Sequence, residues 1–303
     1  MTVKILGDTV SIIQNDNKRS NVKMKVVVVG NNKGGVGKTF ISKTLAEYAT
    51  HVKNLRVLLI DLDPQCNLSR RFLDMRIKED GSFLYTPPLH PEYAGEVDWS
   101  GYSDSSDIWT SGAVVVYPTN FVGLDIIPAN GVSLQDVEYV HKAEIKEKVL
   151  GSLHNFLSIP DIAQSYDICI VDTRPSMSPL VQSALYAATH LIIPTEFAAP
   201  SVEGLHGMLG LHNAINTTSG RHLEIAGIVG NRVKTNFTVH KAIQQKLTND
   251  ATIAPYLLNE WFNEWGDYQK SMLFNAPSLF SSESKATTQA AKICELLLSR
   301  IIE

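Results

Sequence analysis

The sequence predicts an α/β fold, a mostly parallel twisted sheet with helices on both faces. Two observations carry this. Six short apolar runs rich in β-branched residues recur along the chain, and most lack polar alternation, which is how strands buried on both faces read. Segments with helical spacing lie between them, and strand–helix alternation over this length calls for a sheet covered on both sides.

Taken in order, residues 1–24 read as a short extension: a β-hairpin around Gly7-Asp8, then a polar linker over Asn15–Asn21. A single domain is expected over residues 25–303. Lys25–Val29 is its first buried strand. A helix follows Lys38, because Ile41, Leu45, Tyr48 and Val52 recur at helical spacing. The later strands are Arg56–Ile60, Leu124–Ile127, Ile168–Val171, Leu191–Ile193 and Ile225–Val229. The later helices cover 176–188, 201–216, 239–247 and 285–302. Residues 74–122 are rich in Gly, Pro, Ser, Asp and Tyr and are expected to form an irregular insertion.

Composition narrows the function classes. The chain has 303 residues, 44% hydrophobic and 19% charged, with a formal charge of −4. The chain can bury a sizeable core, and its charge balance argues against a constitutive nucleic-acid coat protein, which would be basic, while leaving room for a local basic patch. The three cysteines, Cys66, Cys169 and Cys294, form no CxxC pair, so neither a disulfide framework nor a zinc site is expected and a reducing cytoplasm fits. No apolar run approaches the ~18 residues that span a bilayer. The nine histidines show no metal-ligand spacing. His206 and His212 are therefore expected to be surface or packing residues. Trp261 and Trp265, four apart, are expected to share a helix face in core or dimer packing.

The chemistry is concentrated in Gly30-Asn31-Asn32-Lys33-Gly34-Gly35-Val36-Gly37-Lys38-Thr39, between a buried strand and a helix. That is the setting of a phosphate-binding loop. Glycines let backbone N–H groups wrap around phosphate oxygens, and the helix N-terminus adds its dipole. Lys38 supplies charge to the β- and γ-phosphates, and the Thr39 hydroxyl can ligate Mg²⁺. The usual G-x-x-x-x-G-K-[ST] pattern wants glycine at 32. This chain has Asn32 there, followed by an additional lysine, Lys33.

KGGVGKT resembles the deviant Walker A motif of the ParA/MinD family of P-loop ATPases, with ParA-type partition or positioning ATPases the nearest. Asp61-Leu62-Asp63-Pro64-Gln65 resembles the family's DxDPQ motif, and Asp172-Thr173-Arg174-Pro175-Ser176 its Walker B aspartate and DxxPS turn. Leu124–Asn130 resembles LDxIPAN, and Ala276-Pro277-Ser278 and Ser284-Lys285-Ala286 resemble its C-terminal segments. The likeness covers roughly residues 25–302.

The resemblance implies roles for individual residues. Lys33 would reach the nucleotide of the other subunit in an ATP-sandwich homodimer and neutralise charge on the transferred phosphoryl group. Gly34, Gly35, Val36, Gly37, Lys38, Thr39 and Phe40 would cradle ATP. Asp63 would activate water, and Asp61 and Asp172 would stand near Mg²⁺ through bound water. Asn231-Arg232, after the last strand, would contact the nucleotide, with Asn231 hydrogen-bonding adenine at the sheet edge where ligands of open α/β folds sit.

It also implies partners: duplex DNA bound without sequence preference, and a ParB-like or adaptor protein on a cargo that could be a plasmid, a chromosome origin or a protein organelle such as a carboxysome. The location would be cytoplasmic and nucleoid-associated. Many family members carry an arginine just before the EAPS-like segment. Met272 stands there instead, and Lys234, Lys241, Lys246, Lys270 and Lys292 are the candidate DNA contacts. Residues 1–24 are too few for a helix-turn-helix domain, so operator binding is not expected.

A MinD-like membrane-cycling regulator is the alternative. It calls for a basic amphipathic C-terminal helix, whereas the final helix has only Lys292 and Arg300 on its polar face. Ile293, Leu296, Leu297, Ile301 and Ile302 are expected to pack on the domain, with no membrane partner. An iron–sulfur relative would need cluster cysteines, and these three are unsuitably placed.

Overall fold

A computed structural model describes residues 4–6, 9–11, 23–77, 84–93, 95, 99–110, 113–141 and 146–303. The hairpin of the extension is seen as β1 (Lys4–Leu6) paired antiparallel with β2 (Thr9–Ser11). Its Gly7-Asp8 turn and the Asn15–Asn21 linker lie outside the described residues.

The central sheet has seven strands. In chain order they are β3 (Lys25–Val29), β4 (Val57–Leu62), β7 (Tyr117–Pro118), β8 (Leu124–Ile127), β9 (Ile168–Thr173), β10 (His190–Thr195) and β11 (Glu224–Gly230). The small pair β5 (Arg76–Ile77) and β6 (Tyr85–Thr86) is separate. The spatial order is β11-β10-β3-β9-β4-β8-β7. All pairings are parallel except β7 with β8.

The apolar runs alternate between two cores. Val26 and Val28 enter one face and Val27 and Val29 the other; Leu58 and Ile60 oppose Val57 and Leu59 in the same way. Both faces being dry is why these strands carry no polar alternation. β4 and β9 run past their apolar stretches, through Leu62 and Thr173, so the predicted ends at Ile60 and Val171 are too short. Among the four extra residues, Asp61 and Asp172 are fully buried register partners, as are Leu62 and Thr173.

The helices are α1 (Lys38–His51), α2 (Ser69–Phe72), α3 (Gly131–His141), α4 (Lys146–Leu157), α5 (Pro160–Ser165), α6 (Pro179–Ala187), α7 (Ala199–Thr218), α8 (Thr238–Asn249), α9 (Gly266–Lys270) and α10 (Lys285–Ile302). α1 and α10 share one core, and α4 and α6 the other. Val52 lies past the end of α1 and is exposed. α10 buries Ile293, Leu297 and Ile301 in the core, as its pattern predicts, while Ile302 is exposed.

Trp261 and Trp265 do not share a helix. Trp265 precedes α9 and stacks on Tyr268, and Trp261 packs edge-on against Phe197 on the opposite side of the sheet. Within the insertion, Ser105–Ile108 forms a 3₁₀ turn closed by a capping box from Asp104 and Asp107. Ser105 ties this turn to the sheet, its hydroxyl donating to the Asp61 carbonyl at 2.7 Å.

Candidate nucleotide site

The loop between β3 and α1 sits where the chain order reverses: β3 is flanked by β9 and β10, and its successor β4 lies beyond β9. Crevices at such switch points are where open α/β sheets bind ligands. Gly30 N donates to Ile192 O at 3.0 Å. Asn31, which the motif leaves unspecified, is buried and fixes the front of the loop. Its amide donates to Pro194 O at 2.6 Å, and its Oδ1 accepts from Lys33 N at 2.9 Å.

Gly37 adopts φ 99° and precedes α1 without a side-chain cap. Asn231 explains why only glycine fits. Its amide donates to Val36 O at 3.0 Å, and a Cβ on Gly37 would lie 2.0 Å from that nitrogen. Asn231 thus spends a donor on the loop backbone. Val36 is buried and offers its backbone alone. Phe40 is nearly buried and packs edge-on against Phe262 at 4.9 Å.

Lys38 folds back over the loop, Nζ donating to Lys33 O at 3.1 Å. Burial lowers its pKa, and the carboxylates of Asp172 and Asp63 oppose that shift. Asp172 lies beneath. Its Oδ1 is 3.0 Å from the Ser42 hydroxyl, while its buried Oδ2 has no protein partner. Burial, reinforced by the neighbouring Asp61 carboxyl, pushes its pKa well up.

Asp61 is differently employed. Oδ1 accepts from Asp63 N at 3.0 Å, and Oδ2 accepts from Ser69 N at 2.9 Å and Ser69 Oγ at 2.7 Å. Those bonds anchor the start of α2 and the backbone of Asp63, and Asp61 stands beside Asp172 as its register partner. Asp63 is half-buried, and its Oδ1 accepts from Gln65 N at 3.0 Å.

Gly35, Gly37, Lys38, Thr39, Asp63 and Arg232 line one cavity of about 820 Å³, whose wall also includes Met272, Leu273 and Phe274. The lining does not include Lys33. Its ammonium stands 3.7 Å from Glu196 Oε2, and Arg232 reaches Oε1 of the same carboxylate at 3.6 Å. Glu196, just past β10, carries no motif, and only the fold brings it to the loop.

The candidate DNA lysines fall into two sets. Lys234 pairs with Glu264 at 2.9 Å, and Lys292 pairs with Glu260. Lys241, Lys246 and Lys270 stand in no recorded ion pair among the described residues, and α8, which carries the first two, buries only Leu247. Of the two histidines, His212 bonds Leu223 O at 2.8 Å and His206 lies 3.7 Å from Asp250.

Residues 24–225 match the family model AAA_31, an AAA domain. The virulence plasmid ParA family protein pGP5-D of Chlamydia psittaci is 29% identical over 250 residues, covering 78% of this chain and 85% of that protein. The chain is a ParA-type ATPase. Other relatives of this ATPase are longer: the chain spans 57% of IncC of Escherichia coli. An ATP complex of Cyanothece McdA shares the fold with TM-score 0.70 at 19% identity, covering 91% of this chain and 96% of that one. A plasmid partition protein of Borrelia burgdorferi B31 bound to AMPPNP shares it with TM-score 0.65 at 22% identity, covering 92% and 100%.

A magnesium ion with its water shell fits the donor set. A buried carboxylate oxygen without a protein partner, beneath the Thr39 hydroxyl and Lys38, is the acceptor such an ion would satisfy.

Proposed function

We propose that this ATPase binds ATP with Mg²⁺ in the cavity above α1 and couples its hydrolysis to the partitioning or positioning of a cargo. The observation that carries the reading is the convergence of Lys38, Thr39 and Asp63 on one cavity, with Asp172, whose buried Oδ2 has no protein partner, near enough to Lys38 to hold its pKa up. Lys38 and the backbone N–H groups of residues 34–40 hold the phosphates. Thr39 and Asp172 hold Mg²⁺, which neutralises phosphoryl charge when bound. Asp63 accepts the proton of the attacking water.

ATP brings two subunits together in a nucleotide sandwich, where Lys33 acts on the partner's nucleotide. The ATP-bound dimer holds nucleoid DNA through the lysines of α8 and Lys270, in the cytoplasm. A ParB-like or adaptor protein on a plasmid, chromosome origin or protein organelle stimulates turnover and release.

ATP turnover, binding of a fluorescent ATP analogue and sedimentation velocity test this together. Lys38→Ala loses ten- to a hundredfold in nucleotide affinity, the scale of a lost charge-assisted hydrogen bond. Asp63→Ala keeps ATP and accumulates as a dimer, with turnover down by roughly 10²–10⁴, the contribution of a positioned base. Unchanged affinity in the first variant, or wild-type turnover in the second, overturns the assignment.

A further inference from the structure

We infer that Glu196 is a positioning residue that tethers Lys33 to its own subunit before dimerisation, so that nucleotide-driven pairing must break this contact in both subunits. The inference rests on the cross-subunit role proposed above for Lys33.

Three observations carry it. Glu196 divides its carboxylate between two cations, Oε2 toward Lys33 at 3.7 Å and Oε1 toward Arg232 at 3.6 Å. Each lysine can therefore be withdrawn while Arg232 keeps the carboxylate in place. The carboxylate is only about a quarter exposed, so it is held at the loop and does not sample open solvent freely. The lysine backbone is fixed as well, by the Asn31 side chain at Lys33 N and by Lys38 at Lys33 O. What moves is thus the Lys33 side chain, whose stem is long enough to exchange one anionic partner for another.

The size of the effect follows from the pair's exposure. A partly exposed ion pair holds its members together by no more than a factor of about five. A dimer requires two such releases, so the factors multiply. Removing the tether should tighten nucleotide-dependent dimerisation by about two- to twenty-five-fold in dimer Kd. A ligand shifts an equilibrium only through its differential affinity for the two states, and the tether sets part of that difference.

The test compares wild type, Glu196→Gln, Glu196→Ala, Lys33→Ala and the double variant Lys33→Ala/Glu196→Gln. Dimer Kd is measured by sedimentation velocity at saturating ATPγS and Mg²⁺, and again without nucleotide. Both Glu196 variants should dimerise more tightly with nucleotide and remain monomeric without it. The double variant should match Lys33→Ala alone, because Glu196 acts through the lysine. A general structural role for Glu196 would weaken dimerisation in either background. Unchanged or weaker dimerisation of the Glu196 variants overturns the tether, as does a tightening that persists without Lys33. If Lys33→Ala dimerises like wild type, the cross-subunit role of Lys33 fails first and the tether with it.

Discussion

Asp61 and Asp172 are register partners on adjacent parallel strands, both fully buried, yet their four oxygens have unlike duties. Asp61 accepts from three donors that hold α2 and Asp63. Asp172 keeps Oδ2 without a protein partner. Two carboxyls side by side in a dry sheet resist carrying two charges, and burial pushes both pKa values up.

The two isosteric amides should therefore move stability in opposite directions. Asp61→Asn turns an acceptor toward backbone donors and loses about 1–3 kcal/mol, the cost of buried unsatisfied groups. Asp172→Asn removes a charge that is costly to bury, so stability holds or rises, while Mg²⁺-dependent turnover drops at least about tenfold, an active-site trade-off. Urea denaturation and an ATPase assay across Mg²⁺ concentrations separate them. Equal destabilisation by both would contradict the division of labour.

Much of this site is legible in the sequence, and the illegible part has a physical reason. Phosphate loops announce themselves because a helix beginning at Lys38 after a buried strand needs glycine where φ is positive, as at Gly37. Asp61, Asp63 and Asp172 can be found by their places at strand ends. Their separate duties cannot, since those depend on Ser69 and on Ser42, the latter 130 residues away from Asp172. Glu196 is silent for the same reason. The charges on α1 are silent in the same way: Lys43 and Glu47, an i,i+4 pair, are both fully buried, and nothing in their spacing separates a buried pair from an exposed one. Helices α3 to α5 lie in a stretch where apolar residues are diluted by charge, and short helices of that kind gain their stability from tertiary packing rather than from a strong local pattern.

Gly37 tests the loop's geometry. A methyl group there meets two separate penalties: the left-handed backbone, about 1–2 kcal/mol, and the collision with Asn231 Nδ2 at 2.0 Å. Gly37→Ala should lower affinity for a fluorescent ATP analogue by at least about tenfold. Adding Asn231→Ala removes the collision and leaves the backbone penalty, so recovery should be partial. Full recovery would mean that φ at Gly37 is unimportant.

The lysines on the proposed DNA face can be ranked by what each already neutralises. Lys241 and Lys246 on α8 stand in no ion pair among the described residues, while Lys292 pairs with Glu260 and Lys234 with Glu264. Each phosphate contact releases a counterion and contributes about 0.9 to the salt slope of log affinity. Titrating duplex DNA against the ATP-bound dimer at several salt concentrations should show the slope falling by about that amount per contact for Lys241→Ala or Lys246→Ala. Lys292→Ala should change it least. The reverse ranking would move the DNA face off α8.

Lys43 supplies a pH signature far from the nucleotide. Its ammonium is buried beside Glu47 Oε2 at 3.1 Å, and Glu47 also receives Arg71 at 2.9 Å and the backbone N–H of Leu279 at 3.1 Å. Two cations thus share one carboxylate, and Arg71 in turn holds the carbonyls of Ser271 and Ala276 beside the cavity wall. Burial is the largest influence and lowers the Lys43 pKa from 10.5 to about 8, with the Glu47 carboxylate pulling it back up. A base with a depressed folded pKa binds fewer protons folded than unfolded between those two values. Stability from this group therefore rises as pH climbs from about 8 to 10.5, and is lost as pH falls through 8. The full swing is of the order of 3 kcal/mol. Lys43→Met keeps the volume of the stem and leaves Glu47 paired with Arg71. It should stabilise the protein most at or below pH 8, and the advantage should shrink toward pH 10.5. Urea midpoints of both proteins across pH 7–10.5 read the difference directly, and tyrosine titration cancels because it is common to the two. A constant difference across that range would mean that Lys43 keeps its proton in the folded protein as firmly as in the unfolded chain.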